Sequence, residues 1–506
     1  MKIAIASSGL GHVARGIETW ALDTAVALEE VKREMLDVSR SGEDEPFQVT
    51  LFAAAPLAHL TSHASHLTIR VLPCLKRGDR AAKFLARLMP GFCWRWGFTN
   101  TYGWEQFTFW MLLWLKLRRG RFDILHVQDP GVANWCRLFR KFGLVKTKEI
   151  LGHGTEESVK FLSQFDYVQQ LAPWHLDQTI DHRPEATDLN GKKWVAIPNF
   201  VDCEVFKPII DGPQAIRGKL GIPPDAFVIG CVAAVKKHHK RIDYLIREFA
   251  RLANRQVELE EEFEQKPTKP TKEIGYFAGG GIENSSSCSS RASVVQHSFP
   301  LPFLLIAGAK TDETDELRAL AESLIPGRYK ILTDCSRAQM PDLLRAMDVF
   351  VLASLFEMMP IALLEALASG LPCVVNQHPV LEWMTGVEEE KSFEQKHAKD
   401  AKGGDSYAFG GNTGSLLPQQ ISPAAAASSP LPPLRTSRAS VQVSSTGGEA
   451  IDMSQDGALA AALAALTPEW LALHGQQARK RAVAMFSTEA VIGQYVEYYR
   501  VVMRER

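Results

Sequence analysis

With 506 residues the chain is long enough for two or three domains, each with its own core, and its 46% apolar content is that of a globular protein. A formal net charge of −1 excludes any molecule-wide electrostatic preference for nucleic acid or anionic surfaces. Eight cysteines without a C-x-x-C pair argue against a zinc site or a disulfide framework and fit a reducing cytoplasm.

The chain opens on MKIAIASSG, a short strand and a turn, without the charged and long apolar regions of a secretory signal. Strand-like runs then alternate with helical patterns: KIAIAS, a helix over 17–31, VTLFAAA, IRVLP, DILHVQ, EILGHG, YVQQLAP and WVAIPN. This β-then-α alternation predicts a parallel sheet covered by helices on both faces. A second set follows: FVIGCVAAV, a helix over 241–252, FLLIAGA, a helix over 313–324, YKILTD, a helix over 341–346, VFVLAS and LPCVVN. The expected fold class is therefore α/β, with two Rossmann-like domains facing across a cleft at the carboxyl ends of their strands. The expected boundaries are 1–200, 201–486 and a terminal helical segment at 487–506.

Two stretches interrupt the second domain. Residues 256–300 are charged and then Gly/Ser-rich, and residues 388–449 are rich in Ser, Pro, Ala and Gly, so neither is expected to bury a core and both read as disordered insertions. In the first domain, residues 94–114 hold five of the eleven tryptophans, and residues 76–121 hold ten Lys or Arg against Asp79 and Glu105. That composition suits a peripheral membrane contact, and equally an internal helix pair whose rings form ordinary core. The most apolar stretch, 104–117, is too short and too interrupted to span a bilayer.

The densest chemical signal is DVFVLASLFEMMPIALLEALASGLP at 348–372. VFVL reads as a buried strand, Pro360 starts a helix, and Gly370 and Pro372 end it. Glu357 lies in the loop before that helix and Glu365 projects from it about 2.2 turns further on. On an almost wholly apolar helix, a carboxylate at Glu365 needs a polar partner, and the hydroxyls of a sugar or ribose are candidates. The segment VAAVKKHHKRIDYL places cations at a strand-to-helix turn, where helix N-termini favour phosphate. Gly9 and Gly11 occupy the turn after the first strand, where a backbone can approach a ligand closely, and His12, Arg15 and Glu18 line a candidate acceptor pocket. A dinucleotide fingerprint would need glycine at position 14, which is alanine, so an oxidoreductase is the weaker reading.

The 348–372 segment resembles the E-x7-E signature of the family 4 retaining glycosyltransferases. SSGLGHVARGIETWALDTAVAL, FDILHVQDPG, ILGHG, VAIPNFVDCEVFKP, CVAAVKKHHKRIDYLI and FLLIAGA fall around it in that family's order. The resemblance implies the glycosyltransferase B fold and retaining transfer of a sugar from a UDP-, GDP- or ADP-linked donor to a glycan, lipid-linked or small-molecule acceptor. It implies no cofactor or metal, a terminal helix crossing back to the first domain, and a leaving diphosphate that itself accepts the acceptor's proton. It assigns Glu357 and His153 to catalysis and Lys240, Glu365, Met358 and Met359 to the donor, with His126 a second histidine candidate. The family's arginine before the diphosphate lysine falls here on Ala234 or Val235, which leaves Lys236, Lys237 and Arg241 as replacements and keeps open a non-catalytic protein with a decayed transferase fold. Asn199 and Asp202 match the family's hinge turn, with Phe200 in place of its glycine.

Overall fold

The computed structural model describes residues 1–13, 15–38, 47–57, 66–181, 193–209, 212–264, 301–387 and 446–504. The first sheet has seven strands: β1 (Lys2–Ser7), β2 (Gln48–Ala53), β3 (Thr68–Val71), β4 (Ile124–Val127), β5 (Lys148–Gly152), β6 (Tyr167–Gln170) and β7 (Lys193–Ala196). They are all parallel, in the order β3-β2-β1-β4-β5-β6-β7. Period-2 alternation along β1 sends Ile3 and Ile5 to one core and Ala4 and Ala6 to the other, so helices must cover both faces. These include α1 (Gly16–Val38), α2 (Arg80–Leu88), α3 (Thr101–Gly120) and α4 (Pro130–Lys141).

The second sheet joins β8 (Phe227–Val232), β9 (Pro302–Gly308), β10 (Tyr329–Thr333), β11 (Val349–Leu352), β12 (Cys373–Asn376) and β13 (Gly448–Ile451), all parallel, in the order β10-β9-β8-β11-β12-β13. Each sheet reverses its strand order once, between β1 and β4 and between β8 and β11. At such switch points the loops leave in opposite directions and open a crevice.

Two expected boundaries move. The helix that starts at Ile242 runs to Glu264, nine residues into the expected 256–300 insertion, because a Glu-rich segment is a good helix former. β13 falls partly within the expected 388–449 insertion and pairs with β12, extending the sheet. The rest of both insertions, 265–300 and 388–445, lies outside the described residues, as does position 14.

The Thr488–Arg504 helix packs on the first sheet. Trp20 Nε1 and Gln169 Nε2 donate to Tyr495 Oη at 3.0 and 2.7 Å, and Tyr498 Oη donates to the Lys193 carbonyl at 2.7 Å. Val201 N donates to the Phe486 carbonyl at 2.9 Å, so the two passages of the chain between the halves run side by side. Phe200 is buried edge-on to Tyr495 and fills first-domain core, where a glycine would leave a void.

Trp110 is fully buried against Phe139 in the core under α3, and Trp114, partly buried, packs on the same ring and donates to the Leu144 carbonyl. These two tryptophans belong to the internal packing; the side chains of 94–96 lie outside the described ones. Among the described residues, no helix is long and apolar enough to cross a membrane.

Candidate active site

At the second switch point, β8 leads into a tight turn before the Ile242–Glu264 helix, and β11 leads into the loop before the Ile361–Ala368 helix. His239 and Arg241 take positive φ, 71° and 54°, and the His239 carbonyl accepts from Leu355 N at 3.0 Å, stitching the two loops together. Lys240 Nζ forms an ion pair with Glu357 Oε1, and His239 Nε2 stands 3.8 Å from that same oxygen. Burial alone would raise the Glu357 carboxyl, but His239, Lys240 and Ser354 together outweigh it and hold it at about 2. The site therefore keeps a buried, ionised carboxylate beside a cation. His239 Nε2 is itself buried with no hydrogen-bond partner among the described residues.

Glu365, also buried, meets a protein group. Its Oε1 accepts from Arg337 Nη1, and Arg337 Nη2 reaches Asp23 Oδ2 of α1 at 2.7 Å. Burial raises the Glu365 and Asp23 carboxyls, with Arg337 pulling both back. The two glutamates thus have separate partners, and Arg337 ties the helix bearing Glu365 to the first domain. Ile361 completes this junction: it joins the first-domain core, and a Cβ at Gly16 would lie 3.8 Å from its Cδ1.

Met358 and Met359 bury their side chains in a core that second-domain residues share with Leu171 and Ala172, Met359 Sδ accepts from Asn199 N at 3.2 Å, and both carbonyls also meet the first domain. The Met358 carbonyl accepts from His175 Nε2 at 3.0 Å, and that of Met359 from Asn199 Nδ2 at 3.3 Å. His153 stands 5.8 Å from His175, ring to ring, with Nδ1 2.6 Å from Gln170 Oε1 and Nε2 accepting from Glu157 N at 3.4 Å. Burial lowers the His153 and His175 imidazoles, His175 to about 4. His126 is core: Trp20, Tyr495 and Tyr499 enclose it, and burial pushes it to about 3.

Two of the other candidate cations, Lys237 and Arg241, are committed elsewhere. Lys237 pairs with Glu316 and its backbone N–H donates to Glu313, while Arg241 donates to the Met453 carbonyl at 2.7 Å and stacks on Tyr244. Lys236 is half-buried and has no ion pair among the described residues.

At the first switch point, Asp129 bridges β1 and β4. Its carboxylate accepts from Ser8 N at 2.8 Å and from Tyr102 Oη at 2.6 Å. Glu105, fully buried on α3, takes Arg77 through both guanidinium and backbone N–H and lies 3.0 Å from His12 Nε2. Burial works against the Glu105 charge, yet His12 and Arg77 hold its carboxyl at about 2. Arg77 and Arg15 lie over the Tyr102 ring at 4.3 and 5.2 Å, and Arg15 pairs with Glu18 at 2.7 Å. Gly9 and Gly11 serve this packing: a Cβ at Gly9 would collide with Glu18, and one at Gly11, where φ is 95°, with the Ala55 carbonyl. Arg77, Tyr102, Asp129, Arg337 and Asp23 escaped the sequence reading. The usable signal was Glu105, the lone acid of the tryptophan-rich residues 94–114.

Both domains thus present charged, partly enclosed walls at their switch points, the arrangement of the glycosyltransferase B fold. Sucrose-phosphate synthase from Thermosynechococcus elongatus shares the fold, with a TM-score of 0.60 over 100% of both chains at 14% identity. Residues 291–402, which include β9 to β12 and both glutamates, match the model of the family described as glycosyl transferases group 1. The chain is 27% identical over 183 residues to the putative glycosyltransferase EpsF of Bacillus subtilis (strain 168), covering 36% of this chain and 35% of that protein. Over 40 residues it is 58% identical to the UDP-Gal:alpha-D-GlcNAc-diphosphoundecaprenol alpha-1,3-galactosyltransferase of Escherichia coli, which is 8% of this chain and 10% of that one. The matches span about a third of the first relative and a tenth of the second.

Proposed function

We propose that the protein is a retaining glycosyltransferase of the family 4 kind, moving a sugar from a nucleotide-sugar donor to a glycan or lipid-linked acceptor. The observation that carries this reading is the Lys240–Glu357 pair at the second switch point, tied through the neighbouring Met358 and Met359 carbonyls to the first domain. Lys240 supplies the cation that a departing diphosphate requires, and ionised Glu357 accepts from sugar hydroxyls and balances positive charge developing at the anomeric carbon. Glu365, oriented by Arg337, accepts from ribose hydroxyls. The leaving diphosphate takes the acceptor's proton on the face it departs from, so the anomeric configuration is kept. The name of the E. coli relative favours a UDP-linked donor and a lipid-diphosphate acceptor over the GDP- and ADP-linked alternatives.

Thermal midpoints with UDP, GDP and ADP, and release of nucleoside diphosphate from the matching sugars, test the reading. One base should raise the midpoint, since it binds only the folded chain. Glu357→Gln should abolish release, and Lys240→Ala should weaken the diphosphate, but not the nucleoside, by about tenfold to a hundredfold. If no nucleotide raises the midpoint, or Glu357→Gln releases diphosphate at the wild-type rate, the transferase reading fails. The absent arginine, with Ala234 and Val235 in its place, then favours a protein with a decayed transferase fold.

A further inference from the structure

Helix α2 buries Ala82 and turns two large apolar side chains outward: Phe84 is 63% exposed and Leu88 58%. They stand four residues apart on one line of the helix, with exposed Ala81 three residues before Phe84 on the same line. Arg80, Lys83 and Arg87 are also exposed and form the adjacent line at helical spacing, without ion-pair partners among the described residues. The neighbouring acid, Asp79, accepts from Lys76 N at 2.9 Å. An ordinary surface helix turns polar groups to water. An outward aromatic and leucine beside a row of unpaired cations is instead the layout of a helix lying in a headgroup layer, its apolar line at the acyl boundary and its cations on lipid phosphates.

The location adds to this. Arg77, three residues before α2, is held by Glu105 and lies over Tyr102, so the helix begins at the first-domain wall of the candidate active site. We propose that α2 docks the protein on an anionic lipid bilayer, with Phe84 and Leu88 inserted and Arg80, Lys83 and Arg87 meeting the phosphates. Charge complementarity selects that occupant, and the contact rests on α2 rather than on Trp110 or Trp114. The proposal rests on the transferase reading only where it narrows the acceptor to one carried at a lipid surface.

Flotation of the full chain with vesicles of phosphatidylcholine, alone or mixed equally with phosphatidylglycerol, tests it. Wild type should float with the mixed vesicles, and release should follow as salt shortens the screening length from about 10 Å at 0.1 M to about 3 Å at 1 M. Reversing the three cations with Glu should weaken partitioning by about fivefold for each lost cation, roughly a hundredfold in all. The double variant Phe84→Glu, Leu88→Glu should weaken it by at least about tenfold. Both variants should keep the thermal midpoint and its shift with nucleotide, because the changed side chains point outward. The docking proposal is overturned if wild type stays unbound, floats equally with pure phosphatidylcholine, or matches the double variant. A chain that floats but shows no nucleotide shift supports docking and removes the transferase reading; one that transfers sugar to a soluble acceptor but never floats does the reverse.

Discussion

Glu105 and Glu357 are buried carboxylates kept charged by cations set against them, whereas in Glu365 burial wins. The two outcomes have opposite pH signatures. A carboxyl held at about 2 against an ordinary 4.5 contributes stability that is complete above 4.5 and lost as pH falls toward 2. A raised carboxyl keeps its proton longer in the folded state, so stability declines as pH rises from 4.5 through its folded value. Glu105→Gln should therefore cost about 3 kcal/mol at pH 7, since Arg77 and His12 are left facing an uncharged group. It should also flatten the acid loss of stability measured by urea denaturation between pH 5 and 2. Parallel pH curves for wild type and variant would mean that the Glu105 carboxyl binds its proton equally well folded and unfolded, so that Arg77 and His12 do not hold it down.

At the scale of the element, legibility followed locality. The strand Val349–Leu352 and the helix Ile361–Ala368 announce themselves through an apolar run bounded by Pro360 and Gly370, all within one stretch of chain. β13 announces nothing: Gly448–Ile451 has no strand pattern of its own and is recruited by the free edge of β12. The site divides in the same way. Lys240 and Glu357 were readable because each sits in a motif, while Arg337 and Asp23 are separated by 314 positions and leave no mark on either neighbourhood. Composition alone also hid the Ile242–Glu264 helix end, since charge density resembles that of a disordered tract. These boundaries matter for engineering. Replacing 392–443 with a short Gly/Ser linker should leave the thermal midpoint nearly unchanged, because loop closure depends only weakly on length. Extending the deletion to 449 removes the start of β13 and should lower the midpoint by several degrees; equal midpoints would show that β13 contributes nothing.

For the whole molecule, Arg337 is the charge that spans the two halves, holding Asp23 on one side and Glu365 on the other. Both Arg337 and Asp23 are partly exposed, so the pair between them adds no more than about 1 kcal/mol to folding stability. Its effect should lie in geometry. Asp23→Asn should leave the denaturation midpoint nearly unchanged yet increase the radius of gyration seen by small-angle scattering without ligand. An unchanged scattering curve would mean that the halves are held by packing at Ile361 instead.

The side-by-side passages at Val201 and Phe486 set what such a motion can be. Two strands of chain bonded to each other behave as a single pin, so the halves can swing about that line but cannot slide past one another. Travel then grows with distance from the pin, and a few degrees of rotation shift the far rim of the crevice most. Groups close to the axis, Asn199 among them, keep nearly the same neighbours whether the crevice stands wide or shut.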